Sequence, residues 1–435
     1  MEIILTIFYT AVFILLIFKM KFFAATGLPR KIITAVFLLK IMFGFILWFI
    51  YTCYYTYRDT NDAFRFFDDA VLVSDATKGH FLHFIQILFG INSDAEYLKH
   101  YLANTIQWYQ PYDYGIPNDS RTLIRFNAFV LFFSFGYYQV HMVFMNFLSL
   151  IGLVALYKMF AQILPGRKLE IFFAVFLIPT VLFWGSGAMK EGLILCALGL
   201  FLLTFYRIIQ RGITAKLFIT LILSLCLLCL VKIYVLVCLI PAVISIIAIK
   251  FSGQKLTALK FLAVHILLII FVLNIKYLLP SFHILESIQI KQRDFYNVAE
   301  IWNAGSAIDI GHLEPTFLSF VQHAPQALVN TFFRPHLLEA NSVLLLAAAL
   351  ENLIFTLAIF FYLFHFKKPP KENISWLLLA VSFVTFLALL IGWTTPIMGA
   401  IVRYKLPMLP FLIFVLLLIS DKPKFISRIE SWKKL

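Results

Sequence analysis

The stretch KLFITLILSLCLLCLVKIYVLVCLIPAVISIIAIK, residues 216 to 250, decides the fold. Its only charges are Lys216, Lys232 and Lys250, and the apolar residues between them run on without the every-second-residue alternation of a barrel strand. Such a run crosses about 30 Å of hydrocarbon as a helix, because a helix satisfies its own backbone N–H and C=O groups. We therefore expect two spans here, 216 to 231 and 233 to 249, with Lys232 in a tight hairpin between them, its ammonium snorkelling to the headgroups.

Comparable runs lie at residues 3 to 18, 32 to 56, 138 to 163, 169 to 184, 187 to 206, 261 to 279, 342 to 365, 374 to 392 and 406 to 420, which brings the expectation to about eleven spans. Composition agrees: 62% hydrophobic and 13% charged residues, with a mean hydropathy of +0.91, exclude a water-soluble surface for 435 residues. The expected fold is an all-α, polytopic helical membrane protein forming one membrane domain over residues 1 to 435. Residues 3 to 18 read as the first span and not as a cleaved signal, because Lys19 and Lys21 stand where small residues would mark a cleavage site.

Alternate connections carry the basic residues: Lys19, Lys21, Arg30 and Lys31; Lys158, Arg167 and Lys168; Arg207, Arg211 and Lys216; Lys250, Lys255 and Lys260; Lys367, Lys368 and Lys371. The positive-inside rule makes these connections cytoplasmic, together with the tail that holds Lys422, Lys424, Arg428, Lys433 and Lys434. The net charge of +14 then follows from topology, with no nucleic-acid partner. The amino terminus and two long loops, about 58 to 121 and 281 to 340, face outward. The five cysteines (Cys53, Cys196, Cys226, Cys229 and Cys238) lie in or beside apolar helices, where they read as packing residues and not as a disulfide framework or metal site.

Most carboxylates fall in the two outer loops. The first opens with YRDTNDAFRFFDDA (57 to 70), which sets Asp59, Asp62, Asp68 and Asp69 just beyond a span. An acid there is either a general base held at the water boundary, a ligand for Mg²⁺ or Mn²⁺, or, with Asp59 or Asn61 as cap, a helix start. KGHFLHFIQILFG (78 to 90) predicts an amphipathic helix lying flat at the headgroups, with Phe81, Phe84, Ile85, Leu88 and Phe89 on one stripe. A second such helix is expected over 95 to 108, and a partly inserted one over 122 to 135.

Cations and buried charges complete the pattern. In PTVLFWGSGAMKEG (179 to 192), a tight turn lifts Lys190 and Glu191 to the start of a helix, where they form either a phosphate contact or a plain ion pair. Arg293, Arg334 and His336 lie in the second outer loop, and Arg403 and Lys405 at the outward mouth of the last span. Arg334 and Arg403 are each followed closely by proline, which fixes where the guanidinium points. Glu351, about two turns into an apolar helix, needs a cationic partner or a wet cavity, since a charge at the bilayer centre costs about 2.5 to 3.5 kcal/mol. Lys40, inside the second span, reads as an isolated snorkelling lysine.

Together DTNDAFRF (59 to 66), FWGSGAMKEG (183 to 192) and GAIVRYKLPMLPF (399 to 411) resemble the GT-C superfamily of integral membrane glycosyltransferases, of the type that assembles bacterial cell-envelope glycans. The extra amino-terminal span and the lack of a soluble carboxyl-terminal domain depart from that pattern. The resemblance implies a polyprenyl-phosphate-linked sugar donor, a glycan, lipid or protein acceptor, and a bacterial inner membrane. It also implies that Asp62, with Asp59 next, is the base for an inverting displacement, and that Arg403, Arg334 and Lys190 meet the donor phosphate. An O-antigen-type glycan polymerase, a transporter or flippase of lipid-linked substrates, and a non-catalytic assembly subunit stand as the other readings.

Overall fold

The computed structural model describes residues 1–55, 58, 61–109, 118–279 and 283–422. Helices dominate these residues, with two isolated β-bridges and no longer strand. The principal helices are α1 (Glu2–Lys19), α2 (Arg30–Phe49), α3 (Asp62–Ser74), α4 (Phe81–Phe89), α5 (Asp119–Ser134), α6 (Tyr138–Ile163), α7 (Lys168–Phe176), α8 (Pro179–Trp184) and α9 (Lys190–Arg211). They continue with α10 (Ala215–Ser252), α11 (Thr257–Asn274), α12 (Ile284–Ile301), α13 (Phe317–Phe333), α14 (Val343–Phe364), α15 (Ile374–Thr394), α16 (Met398–Tyr404) and α17 (Leu409–Leu418).

Nine helical segments among the described residues are long and apolar enough to cross a membrane. The fold is an all-α polytopic membrane protein. Its surface agrees: Leu259, Leu262, Leu267, Ile270 and Phe271 of α11 are all exposed, as lipid contact allows and water does not. Two differences separate nine from the expected eleven. The 169 to 184 run is divided into α7 and α8, because Leu177 leaves helical geometry and Pro179 restarts it. The 216 to 249 stretch, α10, counts as one of the nine segments but is two helices that meet at a kink at Lys232, where the break was expected; the Lys232 backbone sits at φ −158° and ψ 85°. Thirty-eight residues of helix reach about 57 Å at 1.5 Å per residue, nearly twice the hydrocarbon thickness, so α10 is too long for one straight crossing.

The chain divides into two compact units, one of residues 1–159 and 181–233, the other of 160–180 and 234–435. In the first, α6 is the axis. Gly152 of α6 and Gly199 of α9 bring the two backbones into contact: a Cβ added at Gly152 would stand 2.0 Å from the Leu195 carbonyl oxygen, and one at Gly199 would stand 2.0 Å from that of Gly152. Small residues permit this approach, as is usual where helices associate in lipid. Phe13 of α1 stacks on Phe147 of α6 at 4.4 Å. Lys158, expected as a plain cytoplasmic charge, is buried and donates to the Phe22 carbonyl beneath the bend between α1 and α2.

The polar segment 61 to 109 folds as α3, α4 and short turns. Of the amphipathic stripe expected on α4, Phe84 is buried with Ile87, and Phe84 meets Phe132 of α5 at 5.3 Å, whereas Phe81 and Phe89 stay exposed. The second amphipathic helix, expected over 95 to 108, does not form: a 3-10 turn (Glu96–Leu98) and a four-residue helix (Lys99–Leu102) stand there. The two backbone N–H groups that follow, of Ile106 and Gln107, bond to Asp69 instead of to a preceding turn.

In the second unit α13 packs along α15. Gly392 lies against the backbone of Ala327, and the Thr331 hydroxyl donates to the Ala388 carbonyl at 2.8 Å. Residues 281 to 340, expected as a loop, are thus largely helical within their described part, as α12 and α13. Arg167, buried, donates to the Leu417 carbonyl at 2.7 Å and so ties the start of α7 to the end of α17.

Gly152→Ala should destabilise the protein by about 1 to 3 kcal/mol, because neither backbone can retreat. Gly166→Ala, with nothing near its added methyl, should stay within about 0.5 kcal/mol of the parent. Thermal unfolding of the two variants in detergent separates these outcomes.

Candidate site of buried lysines and acids

The site grows from two helix starts. Asn118 caps α5: its side-chain oxygen accepts from the Ser120 N–H at 3.0 Å, and its amide donates to the carbonyls of Gln107 and Trp108. Asp119 then occupies the first turn, where the helix dipole favours a carboxylate. Lys190 begins α9, the end at which the dipole disfavours a cation, so its position requires a partner. That partner is Asp119. One oxygen of its carboxylate accepts from Lys190 Nζ at 2.7 Å and the other lies 2.7 Å from Lys232 Nζ.

The three side chains are largely shielded, at 9%, 23% and 17% exposure for Lys190, Asp119 and Lys232. Lys190 also donates to Ser120 Oγ at 3.1 Å and rests 4.7 Å over the ring of Phe66. Burial alone would raise the Asp119 carboxyl, but the two lysines hold it well below the ordinary carboxylate range. Two ammonium groups and a carboxylate held together at helix starts are the kind of charged, hydrogen-bonding groups that a phosphate oxygen can meet.

The Gly-Ser-Gly turn that carries Lys190 is fastened from beneath. Lys40 Nζ donates to the Gly185 carbonyl at 2.8 Å and to Ser186 Oγ at 3.1 Å, and the Asn146 amide donates to the Ser186 carbonyl at 3.0 Å. Lys40 is fully buried, which corrects its reading as a snorkelling lysine: its partner is the turn. Gly44 makes room for that turn, since a Cβ there would stand 2.6 Å from the Ser186 carbonyl oxygen.

Asp62 begins α3, capped by Asn61, whose side chain accepts from the Ala63 N–H at 3.0 Å. Ala63 packs with Leu47 and Met189, and Phe64 and Phe67 pack with Tyr138 and Ala188. The start of α3 is thereby seated on the turn that leads into Lys190, and Asp62 acts electrostatically on that lysine. Glu191 is buried beside it, but Lys190 pairs with Asp119 and not with its neighbour, so the surface ion pair considered for these two does not form.

The other acids of the first loop are engaged elsewhere. Asp69 is buried and spends both oxygens on backbone N–H groups, of Ile106 at 2.8 Å and Gln107 at 2.7 Å; burial pushes its carboxyl up while these bonds oppose the shift. Asp68 is held by Arg58 through two bonds of 2.8 and 2.6 Å. Neither fits as a ligand for Mg²⁺ or Mn²⁺, and the described residues contain no group of three or more acids, histidines or cysteines suited to an ion. Asp59 lies outside the described residues.

The second unit holds the remaining expected residues. Arg334 is bound to Glu339 by Nε at 2.6 Å, and through Nη2, and its Nη1 donates to Asn330 Oδ1 at 3.3 Å. His336 lies against the same carboxylate at 3.4 Å. Burial would raise Glu339, but the Arg334 guanidinium and the His336 N–H hold it below its usual value. Lys405 is buried and donates to Asn352 Oδ1 at 2.5 Å. Glu351, adjacent in sequence, accepts from the Thr180 N–H at 2.6 Å and feels Lys405, the cation its position called for. Arg403 is half-buried in the last turn of α16, and Arg293 is exposed on α12.

Of the expected site, the first unit gathers Asp62, Lys190 and Glu191, and adds Asp119 and Lys232. Asp119 escaped attention inside a turn-rich stretch, although Asn118-Asp119-Ser120 ahead of an apolar run carries the signature of a capped helix start. Lys232 was noticed, but as a headgroup contact.

Asp119→Asn should cost about 3 kcal/mol, since it removes the carboxylate that Lys190 and Lys232 share. The Asp119 carboxyl is depressed on folding, so its contribution is complete above about pH 4, the ordinary carboxylate value, and is lost as pH falls below it. The stability gap between wild type and Asp119→Asn should therefore narrow as pH falls below about 4 in thermal unfolding. Comparison with protein-family models, characterised proteins and solved structures finds no match to this chain, so the reading of the site rests on its own geometry.

Proposed function

We propose that this chain is a membrane glycosyltransferase that moves a sugar from a polyprenyl-phosphate-linked donor to an acceptor hydroxyl at the extracytoplasmic face of a bacterial inner membrane. The observation that carries the reading is the grouping, in one unit, of a base candidate at a helix start, Asp62, with two shielded lysines, Lys190 and Lys232, that share a single carboxylate. Acids and cations meet at the ends of apolar helices, where a lipid-linked phosphate has its headgroup.

In this reading Asp62 takes the proton of the acceptor hydroxyl. The acceptor oxygen bonds to the anomeric carbon as the bond from that carbon to the phosphate oxygen breaks, and the electron pair stays with the phosphate. Configuration inverts. Lys190 and Lys232 stabilise the charge growing on the departing phosphate, and Asp119 keeps both ammonium groups aimed at it before the donor arrives, so that little reorganisation is needed. Lys190 keeps the part that the resemblance gave it together with Arg403 and Arg334, and Lys232 joins it; Arg334 is already paired with Glu339. No step is routed through a divalent ion, because Asp68 and Asp69 are committed to other partners.

One observation favours the transporter reading: Glu351 and Lys405 are buried charges within apolar helices, each with its own hydrogen-bond partner and each acting electrostatically on the other, as transporters have polar groups near the midplane. Glu351→Gln separates the two. It should leave sugar transfer intact if the pair only joins helices, and should abolish substrate movement if the protein is a transporter.

In purified protein given polyprenyl-phosphate-linked sugars, Asp62→Asn should lower the rate about 10² to 10⁴-fold while donor binding persists. Lys232→Ala should weaken donor binding about tenfold, the worth of one charge-assisted hydrogen bond. Undiminished transfer by Asp62→Asn in folded protein removes the assigned base.

A further inference from the structure

A second concave site lies in the other unit, on α12. It encloses about 260 Å³ and is lined on one side by Gln289, Arg293, Asn297 and Glu300, which recur at helical spacing along one face. Across from them stand His312 and Leu313. The far wall folds back because residues 306 to 308 are laced to the link before α16: Ile308 N donates to the Pro396 carbonyl at 2.7 Å, and Met398 N donates to that of Ser306 at 2.9 Å.

The floor and the lining differ in one respect. Floor groups are satisfied. Gln292 donates to the carbonyls of Gly311 and Trp393 at 3.0 and 2.7 Å and accepts from Leu313 N at 2.9 Å. Tyr296 donates to Asp309 at 3.2 Å and accepts from Ile310 N at 3.0 Å, with its ring 5.1 Å from that of His312. The side chains of Gln289, Arg293, Asn297 and Glu300 make no hydrogen bond or ion pair among the described residues. A rigid, internally bonded floor under an unengaged polar lining is the arrangement of a preformed binding site, and an ordinary solvated helix face has no facing wall.

The lining chemistry selects the ligand. Glu300, with Asp309 beside His312, offsets Arg293, so the site has no excess charge to hold an anion. Gln289 and Asn297 each offer both donor and acceptor groups, Arg293 only donors and Glu300 only acceptors, a mixture that fits neighbouring hydroxyls, which donate and accept together. Tyr296 and His312 supply flat ring surface for C–H groups. We infer that this pocket binds one neutral pyranose ring of a glycan. The inference goes beyond the transferase reading and does not depend on it, since a polymerase or a glycan transporter would use such a pocket equally.

The test is saturation-transfer NMR on the full chain in lipid nanodiscs, with methyl glycosides of hexoses and N-acetylhexosamines as probes and inorganic phosphate as competitor. At least one glycoside should show transfer to its ring protons, phosphate should not displace it, and Arg293→Ala and Asn297→Ala should each weaken it about tenfold. Both substituted residues are exposed, and unchanged thermal unfolding verifies that the variants fold. Absence of transfer from every glycoside, displacement by phosphate, or binding unaltered in both variants overturns the assignment. The two readings fail separately: undiminished sugar transfer by Asp62→Asn with glycoside binding retained overturns the transferase reading alone, whereas transfer abolished by Asp62→Asn with no glycoside bound by the wild type overturns this assignment alone.

Discussion

A single carboxylate between two ammonium groups is the constraint on which the first unit depends. Asp119 sits at the favourable end of one helix, whereas Lys190 sits at the unfavourable end of another, and Lys232 interrupts a third. Each lysine would be costly at the edge of a bilayer without the shared anion. The Asp119 contact therefore ties together the places where three helices begin or break. Structure and proposed chemistry rest on the same two distances of 2.7 Å.

That meeting point needs a stiff base, and the Gly-Ser-Gly turn supplies it. Lys40 and Asn146 occupy the carbonyls that a tight turn leaves open, and glycines at 44 and 187 admit the neighbouring atoms. A buried lysine that bonds to a backbone carbonyl fixes that carbonyl's direction more firmly than an apolar contact does. The same device recurs in each unit: Lys158 reaches the Phe22 carbonyl in the first, and Arg167 that of Leu417 in the second. Buried cations here serve the backbone as much as any substrate.

Much of the architecture was legible in the chain. Apolar length located the spanning helices, since only a helix satisfies its backbone in lipid, and the Asn61-Asp62 start of α3 followed from cap chemistry. The site was legible in its ingredients but not in its pairings. Asp62 and Lys190, both named from the sequence as site residues, lie near enough to act on each other electrostatically, while Asp68 and Asp69, read as possible metal ligands, are committed to Arg58 and to backbone N–H groups. Arg334 followed the same rule: its guanidinium is answered locally by Glu339, five residues on.

Sequence alone determined the class, the helical spans and the residue types available at their ends, because hydrophobic length and capping are local properties of consecutive residues. Tertiary structure decided which charges meet. Lys190 and Lys232 stand 70 and more residues from Asp119, and no periodicity or composition relates positions that far apart; only the packing of α3 and α5 against the turn before α9 brings them within hydrogen-bond reach.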